Sequence, residues 1–190
     1  MADFIEREIK LHFNSVKEAR AAVLAVGAKL NRTRQFQDDR LFDWPDGRLE
    51  KDHCALRVRN YGNTSYLTFK GPPLAKTIKA REELETTVDN ASLLIVLLKR
   101  LGLEVRFRYQ KYREEYKYQG VTLTIDETPI GTYVEIEGTE YEIFQAAKKM
   151  GRTKNDYILD SYHALFVSAC EKAKVSPTNM ILEKDKDADL

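Results

Sequence analysis

The sequence predicts an α+β fold: eight mostly antiparallel strands closing into a barrel, with helices packed on the outside. Three observations carry this. Most of the chain alternates apolar and polar residues with a period of two, the pattern of strands that face two environments. The connections Tyr61–Asn63 and Gln119-Gly120 are hairpin-sized, too short for parallel crossovers. Helical spacing is confined to four stretches.

The elements follow in order. Strands are expected near residues 3–13, 34–43, 53–60, 64–70, 78–88, 105–118, 120–128 and 131–138. The first helix starts at Ser15, with Glu18 completing a capping box, and carries Val16, Ala19, Val23, Val26 and Leu30 as one stripe. The second begins at Asp89–Ser92, carries Leu93, Leu94, Leu97, Leu98 and Leu101, and stops at Gly102. The third runs from Thr139, boxed by Glu142, to Gly151. The fourth starts near Asn155 or Ser161, with Tyr162, Leu165, Phe166, Ala169 and Ala173 facing inward. Trp44-Pro45-Asp46-Gly47 reads as a turn with one packed aromatic. Residues 1–175 form a single domain, and 176–190 are expected to be a charged, solvated tail.

Composition narrows the function. The chain has 190 residues, 43% hydrophobic and 32% charged, enough to bury a core without disulfides or a structural metal. Lys plus Arg number 31 against 30 Asp plus Glu, a balance that argues against a general nucleic-acid binder. Charges recur from Met1 to Lys10 as in no signal peptide, and the most apolar run, Ala91–Leu98, is too short to span a bilayer. No membrane association is expected. Cys54 and Cys170 have no metal-type spacing and are expected to be free thiols in a reducing cytoplasm.

The polar faces of the strands are the informative feature. In the first strand Ile5, Ile9, Leu11 and Phe13 point one way, with Arg7 as the exception, while Glu6, Glu8 and Lys10 point the other. Arg57 and Arg59 share a face, and Lys70 ends the fourth strand. Arg81, Glu83 and Glu85 share a face, as do Lys111 and Arg113. Asp126 follows Thr122 and Thr124, and Tyr133 precedes Glu135 and Glu137. Alternation alone allows two readings. One is a sheet with a wet face laced with weak ion pairs. The other is a closed barrel with a charged interior, which needs ligands to offset the burial of charge. Carboxylates suit Mg²⁺ or Mn²⁺, and converging Arg and Lys suit phosphate oxygens.

In sequence order, Glu6-x-Glu8-x-Lys10, Gln37, Asp39, Phe42-Asp43, Leu56-Arg57-Val58-Arg59, Thr68-Phe69-Lys70-Gly71, Arg81, Glu83, Glu85, Lys111-Tyr112-Arg113, Ile125-Asp126, Gly131 to Glu137 and Ser161-Tyr162 with Leu165 resemble the CYTH domain, the triphosphate tunnel metalloenzymes. That family includes thiamine triphosphatases, inorganic triphosphatases and class-IV adenylyl cyclases, and the resemblance runs from about Phe4 to Phe166. It implies that Glu6, Glu8, Asp126, Glu135 and Glu137 form the metal side, with Glu83 and Glu85 helping or pairing with bases. It implies that Lys10, Arg57, Arg59, Lys70, Arg81, Lys111 and Arg113 grip the triphosphate, with Lys10 or Lys111 as a base if its pKa is depressed. Leu41 departs from the tyrosine common among relatives, which bears on rate and specificity.

The expectation is therefore a Mg²⁺- or Mn²⁺-dependent triphosphatase acting on thiamine triphosphate, inorganic triphosphate or a nucleoside triphosphate. A class-IV adenylyl cyclase making cyclic AMP and pyrophosphate stands second, and a non-catalytic polyphosphate-binding module third. Of the histidines, only His12 continues a charged face, at the barrel rim. Lys76 and Lys79 belong to a basic stretch, Pro72 to Lys79, that reads either as a solvated loop or as reaching the substrate. The tyrosines at 109–118 read as cover for the sheet, with one near a tunnel mouth able to hold an aromatic substrate group. A homodimer through outer strands or the last helix is compatible with the pattern.

Overall fold

A computed structural model of the chain describes residues 4–74 and 78–182. Its centre is a closed barrel of eight antiparallel strands: β1 (Ile5–Phe13), β2 (Lys29–Asp43), β3 (Ala55–Tyr61), β4 (Thr64–Pro73), β5 (Lys79–Val88), β6 (Glu104–Tyr118), β7 (Val121–Thr128) and β8 (Gly131–Glu137). The order around the barrel is β1-β5-β4-β3-β2-β6-β7-β8, and β8 pairs back onto β1 through Glu8/Glu137 to Phe13/Thr132. Register shifts interrupt the long β2–β6 ladder at Leu30/Arg32, Arg32/Gln35 and Leu41/Phe42. Irregularities of this kind bend and twist strands, as closure requires.

The helices lie outside: α1 (Val16–Ala25), α2 (Arg48–Lys51), α3 (Ala91–Arg100), α4 (Glu140–Lys149) and α5 (Tyr162–Ala173). Their starts follow the predicted caps. Ser15 Oγ accepts from Glu18 N at 3.2 Å, although the Glu18 carboxylate returns to Asn14 N rather than Ser15 N. Thr139 and Glu142 form the full reciprocal box. Such caps contribute about 1 kcal/mol each. Of the two starts expected for the fourth helix, Ser161 is the one used: it caps α5, while Lys154–Asp156 forms a separate 3-10 turn.

The apolar core is the layer between the barrel's outer face and the helices. Ile9 and Leu11 of β1, Leu123 and Ile125 of β7 and Val134 and Ile136 of β8 pack with Ala19 and Val23 of α1 and Ile143, Ala146 and Ala147 of α4. A second cluster sets α3 on Phe42, Val58 and Leu103. A third gathers Phe107, Tyr109, Tyr133, Tyr162 and Met180.

Three expectations are corrected. Gly27, at φ +91°, ends the first helical segment, so Leu30 sits in β2 and is exposed. On α3 the inward residues are Ala91, Leu94, Ile95 and Leu98, whereas Leu93, Leu97 and Leu101 are exposed, because the strands meet the helix on its other side. The solvated tail does not begin at Ser176: Met180 is 1% exposed, and Asn179 to Leu182 hydrogen-bond to β6. Residues 183–190 of that tail and Lys76 lie outside the described residues. Cys54 and Cys170 form no disulfide. Among the described residues no helix is long and apolar enough to cross a membrane.

Candidate functional site

The barrel interior is a cavity of about 660 Å³, within the size range of small-molecule sites. Strand alternation turns every second residue into it. Glu6, Glu8, Lys10, Arg57, Arg59, Lys70, Arg81, Glu83, Glu85, Lys111, Arg113, Glu135 and Glu137 all line this one space. Asp126 does not. It is fully buried on the interior face that Thr122 and Thr124 continue, and accepts from Lys111 Nζ at 2.7 Å, Arg113 Nε at 2.6 Å and the Tyr162 hydroxyl at 2.7 Å. In this pairing its oxygens orient the bases.

Register places the acids together on β1, β5 and β8. Glu6 lies opposite Arg81, while Glu8 lies between Lys79 and Glu137. Lys70 Nζ joins Glu6 at 2.5 Å to Glu83 at 2.8 Å. Lys10 Nζ lies 2.9 Å from Glu8 and 3.3 Å from Glu135, and Arg113 also pairs with Glu135. The basic wall is β3 with β6. Arg59 Nε donates to Asp39 at 2.7 Å, and Arg57 Nη2 donates to Thr68 Oγ1 at 3.2 Å. Arg57 Nη2 lies 3.5 Å from both Glu83 and Glu85. Among the described residues the Nε donors of Arg57 and Arg81 are buried without a hydrogen bond, although Arg57 Nε lies 3.5 Å from the Asp39 carboxylate. Buried donors left unmatched are costly, so they are primed for an anion.

The charges set one another's protonation. Burial, and then the adjacent Glu8, push Glu6 up to about 8. Its partner Glu83, pulled against burial by the hydrogen bond from Glu6 and by Lys70, sits at about 2. The two carboxyls are thus joined through a proton. Burial also raises the Glu137 carboxyl, with Glu8 and Glu83 adding to it. Burial opposes the charge on Lys10, but Glu8 and Glu135 outweigh it and hold the ammonium well above its usual range. Lys111 behaves oppositely: burial and Arg113 lower it to about 8, against Asp126 and Glu135. Burial likewise brings Lys79 to about 8, with Glu8 resisting.

These residues fit a hard divalent cation by chemistry. Glu6, Glu8, Glu83 and Glu137 offer only oxygen, and the proton between Glu6 and Glu83 occupies a place a cation would take. Among the described residues, as now paired with lysines, no three His, Cys, Asp or Glu side chains are gathered for a metal.

Four contributors fell outside the expected site set. Asp39 anchors Arg59, and Thr68 donates to Glu85 at 2.7 Å. Lys79 pairs with Glu8 inside the barrel and is not a solvated loop residue. The signal for it was there, since Lys79 continues the face of Arg81, Glu83 and Glu85. Tyr162, supplied by α5, seals the aromatic end, its ring 4.6 Å from Lys111 Nζ and 5.3 Å from Lys10 Nζ. Tyr109 faces the cavity and does not cover the sheet. His12 is exposed at the rim, while His53 and His163 reach the cavity wall beside Leu41.

The architecture is thus an eight-stranded closed barrel with a charged interior and an outer apolar layer. Residues 5–166 match the CYTH domain, and the chain belongs to that family. Its members are enzymes and generally depend on a metal. The chain is 28% identical over 145 residues to a Methanocaldococcus jannaschii protein named as a candidate adenylate cyclase, covering 76% of this chain and 82% of that one. A solved Pyrococcus horikoshii protein superposes with a TM-score of 0.73 at 27% identity, covering 84% of this chain and 98% of its own. A Hippeastrum protein, described as a candidate adenylyl cyclase with a dominant triphosphatase activity, shares the fold at a TM-score of 0.64 and 24% identity, covering 86% of this chain and 96% of its own.

Proposed function

We propose that this protein is a divalent-metal-dependent triphosphatase that hydrolyses thiamine triphosphate, inorganic triphosphate or a nucleoside triphosphate inside the barrel. The observation that carries the reading is one cavity lined by both carboxylates and guanidinium groups, in which the buried Nε donors of Arg57 and Arg81 make no hydrogen bond among the described residues. A polyanion accompanied by a cation matches both kinds of group; neither alone does.

Arg57, Arg59, Arg81, Arg113, Lys10 and Lys70 hold the triphosphate oxygens and balance the charge that grows on the leaving oxygen. Glu6, Glu8 and Glu137, with Glu83, would hold Mg²⁺ or Mn²⁺, which when bound supplies charge neutralisation at the phosphates. Glu135 keeps Lys10 and Arg113 in place. Of the two candidate bases, the elevated pKa of Lys10 fixes it as a cation, whereas Lys111, near 8, can accept a proton. Water attacks the terminal phosphorus, its proton passes to Lys111, and the bond from that phosphorus to the bridging oxygen breaks. The products are orthophosphate and the diphosphate. Asp126, held by Tyr162, orients Lys111.

The second reading, an adenylyl cyclase, is favoured by the name of the Methanocaldococcus jannaschii relative. The test is a product assay with ATP, thiamine triphosphate and inorganic triphosphate, each with Mg²⁺ and with Mn²⁺. Orthophosphate without cyclic AMP supports the hydrolase. Cyclic AMP with pyrophosphate from ATP replaces it with the cyclase, and no product from any of the three removes both readings.

A further inference from the structure

One edge of β6 is open in the backbone pairing of the barrel wall. β6 pairs with β2 from Lys29/Lys117 to Asp43/Glu104, but with β7 only from Tyr112/Glu127 to Tyr118/Val121. The β7-side edge of the first half of β6 would be left with unsatisfied amides and carbonyls, which are costly when buried. The chain beyond α5 returns to fill this edge. Met180 pairs with Tyr109 in a parallel bridge. Met180 N donates to Arg108 O at 3.0 Å, and Gln110 N donates to Met180 O at 2.9 Å. Asn179 Oδ1 accepts from Arg108 N at 2.9 Å, and Gln110 Oε1 accepts from Leu182 N at 3.1 Å. The Met180 side chain is 1% exposed, in one cluster with Phe107, Tyr109, Tyr133 and Tyr162.

Two of those aromatics touch the charged site. The Tyr162 hydroxyl donates to Asp126, which holds Lys111 and Arg113. Tyr109 lines the cavity between Phe107 and Lys111 on the same strand face. The match to the family ends at residue 166, and the Pyrococcus horikoshii protein is covered over 98% of its own length by 84% of this chain. Met180 therefore lies beyond the part of the chain that carries the family likeness.

We infer that Asn179–Leu182 is a strap that docks on the open edge of β6 and uses Met180 to hold Tyr109 and Tyr162 against the tunnel, making Met180 a positioning residue of the site. Met180 touches no substrate. It acts through Tyr162 on the Asp126–Lys111 pair, and a displacement of about 1 Å there suffices to slow a positioned reaction. The activity part of the test rests on the triphosphatase reading; the docking part does not.

The test compares the full chain with Met180→Ala, Met180→Leu, Asn179→Ala and a chain ended after Val175. With the triphosphate the wild type turns over best, Met180→Ala and the shortened chain should lose about tenfold or more in kcat. The dissociation constant for inorganic triphosphate should rise by no more than about threefold, because the other cations still grip it. Met180→Leu should recover most of the rate, since it refills the volume. Asn179→Ala leaves the packing in place and guards against a variant that simply fails to fold. It should speed amide exchange at Arg108 with a smaller loss of kcat. Wild-type kcat in both Met180→Ala and the shortened chain would overturn the strap, as would equal loss in Met180→Leu and Met180→Ala. If the wild type turns over no triphosphate, the hydrolase reading fails separately. The strap is then judged by near-ultraviolet circular dichroism of the tyrosines and by exchange at the Gln110 amide. A change in Met180→Ala reversed in Met180→Leu supports it, and wild-type signals in Met180→Ala reject it.

Discussion

The two faces of a single strand wall are buried to the same degree for opposite reasons. On β1, Ile9 and Leu11 are 0% exposed and look outward; Glu8 and Lys10, at 6% and 1%, look inward. The outer face meets α1 and α4 and gains from removing apolar area from water. The inner face meets mainly other charges, with the Tyr162 ring beside Lys10, and its ion pairs repay desolvation imperfectly. Depth of burial thus does not separate a core from a site. What separates them is whether the buried groups are satisfied, and the inner face keeps unmatched guanidinium donors and a shared carboxyl proton.

Isosteric changes that remove charge from the inner face should give the largest functional effect. Glu6→Gln with Glu8→Gln should lower metal-dependent turnover by about a thousandfold, while circular dichroism shows that the fold survives. Wild-type-like turnover would detach these carboxylates from the metal. The outer face should answer in the reverse sense. Ile136→Ala, fully buried against the helices, should cost about 2–5 kcal/mol of stability in urea unfolding. The molecules that remain folded should keep their turnover, and a loss of kcat per folded molecule would show that the two faces are coupled.

Arg57→Ala sharpens the inner face itself. It removes a guanidinium whose carboxylate partners Asp39, Glu83 and Glu85 each lie 3.5 Å away. Triphosphate binding should weaken by about 1.5–3 kcal/mol, and monophosphate binding much less, as read by calorimetry. Equal losses would place Arg57 outside the grip.

The fold was readable because alternation is a local property: each strand announces its two faces within a few residues. The same pattern could not say whether the polar face was wet or enclosed, since closure depends on β8 meeting β1 and on the kinks in β2 and β6. Thirteen of the fourteen charged residues named from the pattern line the cavity, and Asp126 is buried beside it against Lys111 and Arg113. Alternation placed Asp126 on the polar face, but its partner Tyr162 was hidden because it arrives from a helix distant in sequence. Lys79 was obscured by its place at the end of a basic loop. Met180 was hidden by its neighbours, since a single methionine beside a run of charges reads as tail.

The smallest effect, and the one that ties the two faces to the metal, is in pH. Glu6 has a higher pKa folded than unfolded, raised to about 8 by burial and by Glu8. A group of that kind stabilises the fold fully below its unfolded pKa, near 4.5, and loses that contribution as pH rises toward 8. The carboxylate then stands charged beside Glu8 and Glu83. A divalent cation should reverse this loss by replacing the shared proton. In thermal unfolding, Mg²⁺ or Mn²⁺ should raise Tm more at pH 8 than at pH 6, and binding should release protons, measurable as a dependence of the calorimetric heat on the ionisation enthalpy of the buffer. Glu6→Gln should flatten the difference between the two pH values. An equal rise in Tm at both, in wild type and variant alike, would mean that the cation binds elsewhere. Because the outer apolar layer does not titrate, any change in Tm that follows this pattern belongs to the inner face.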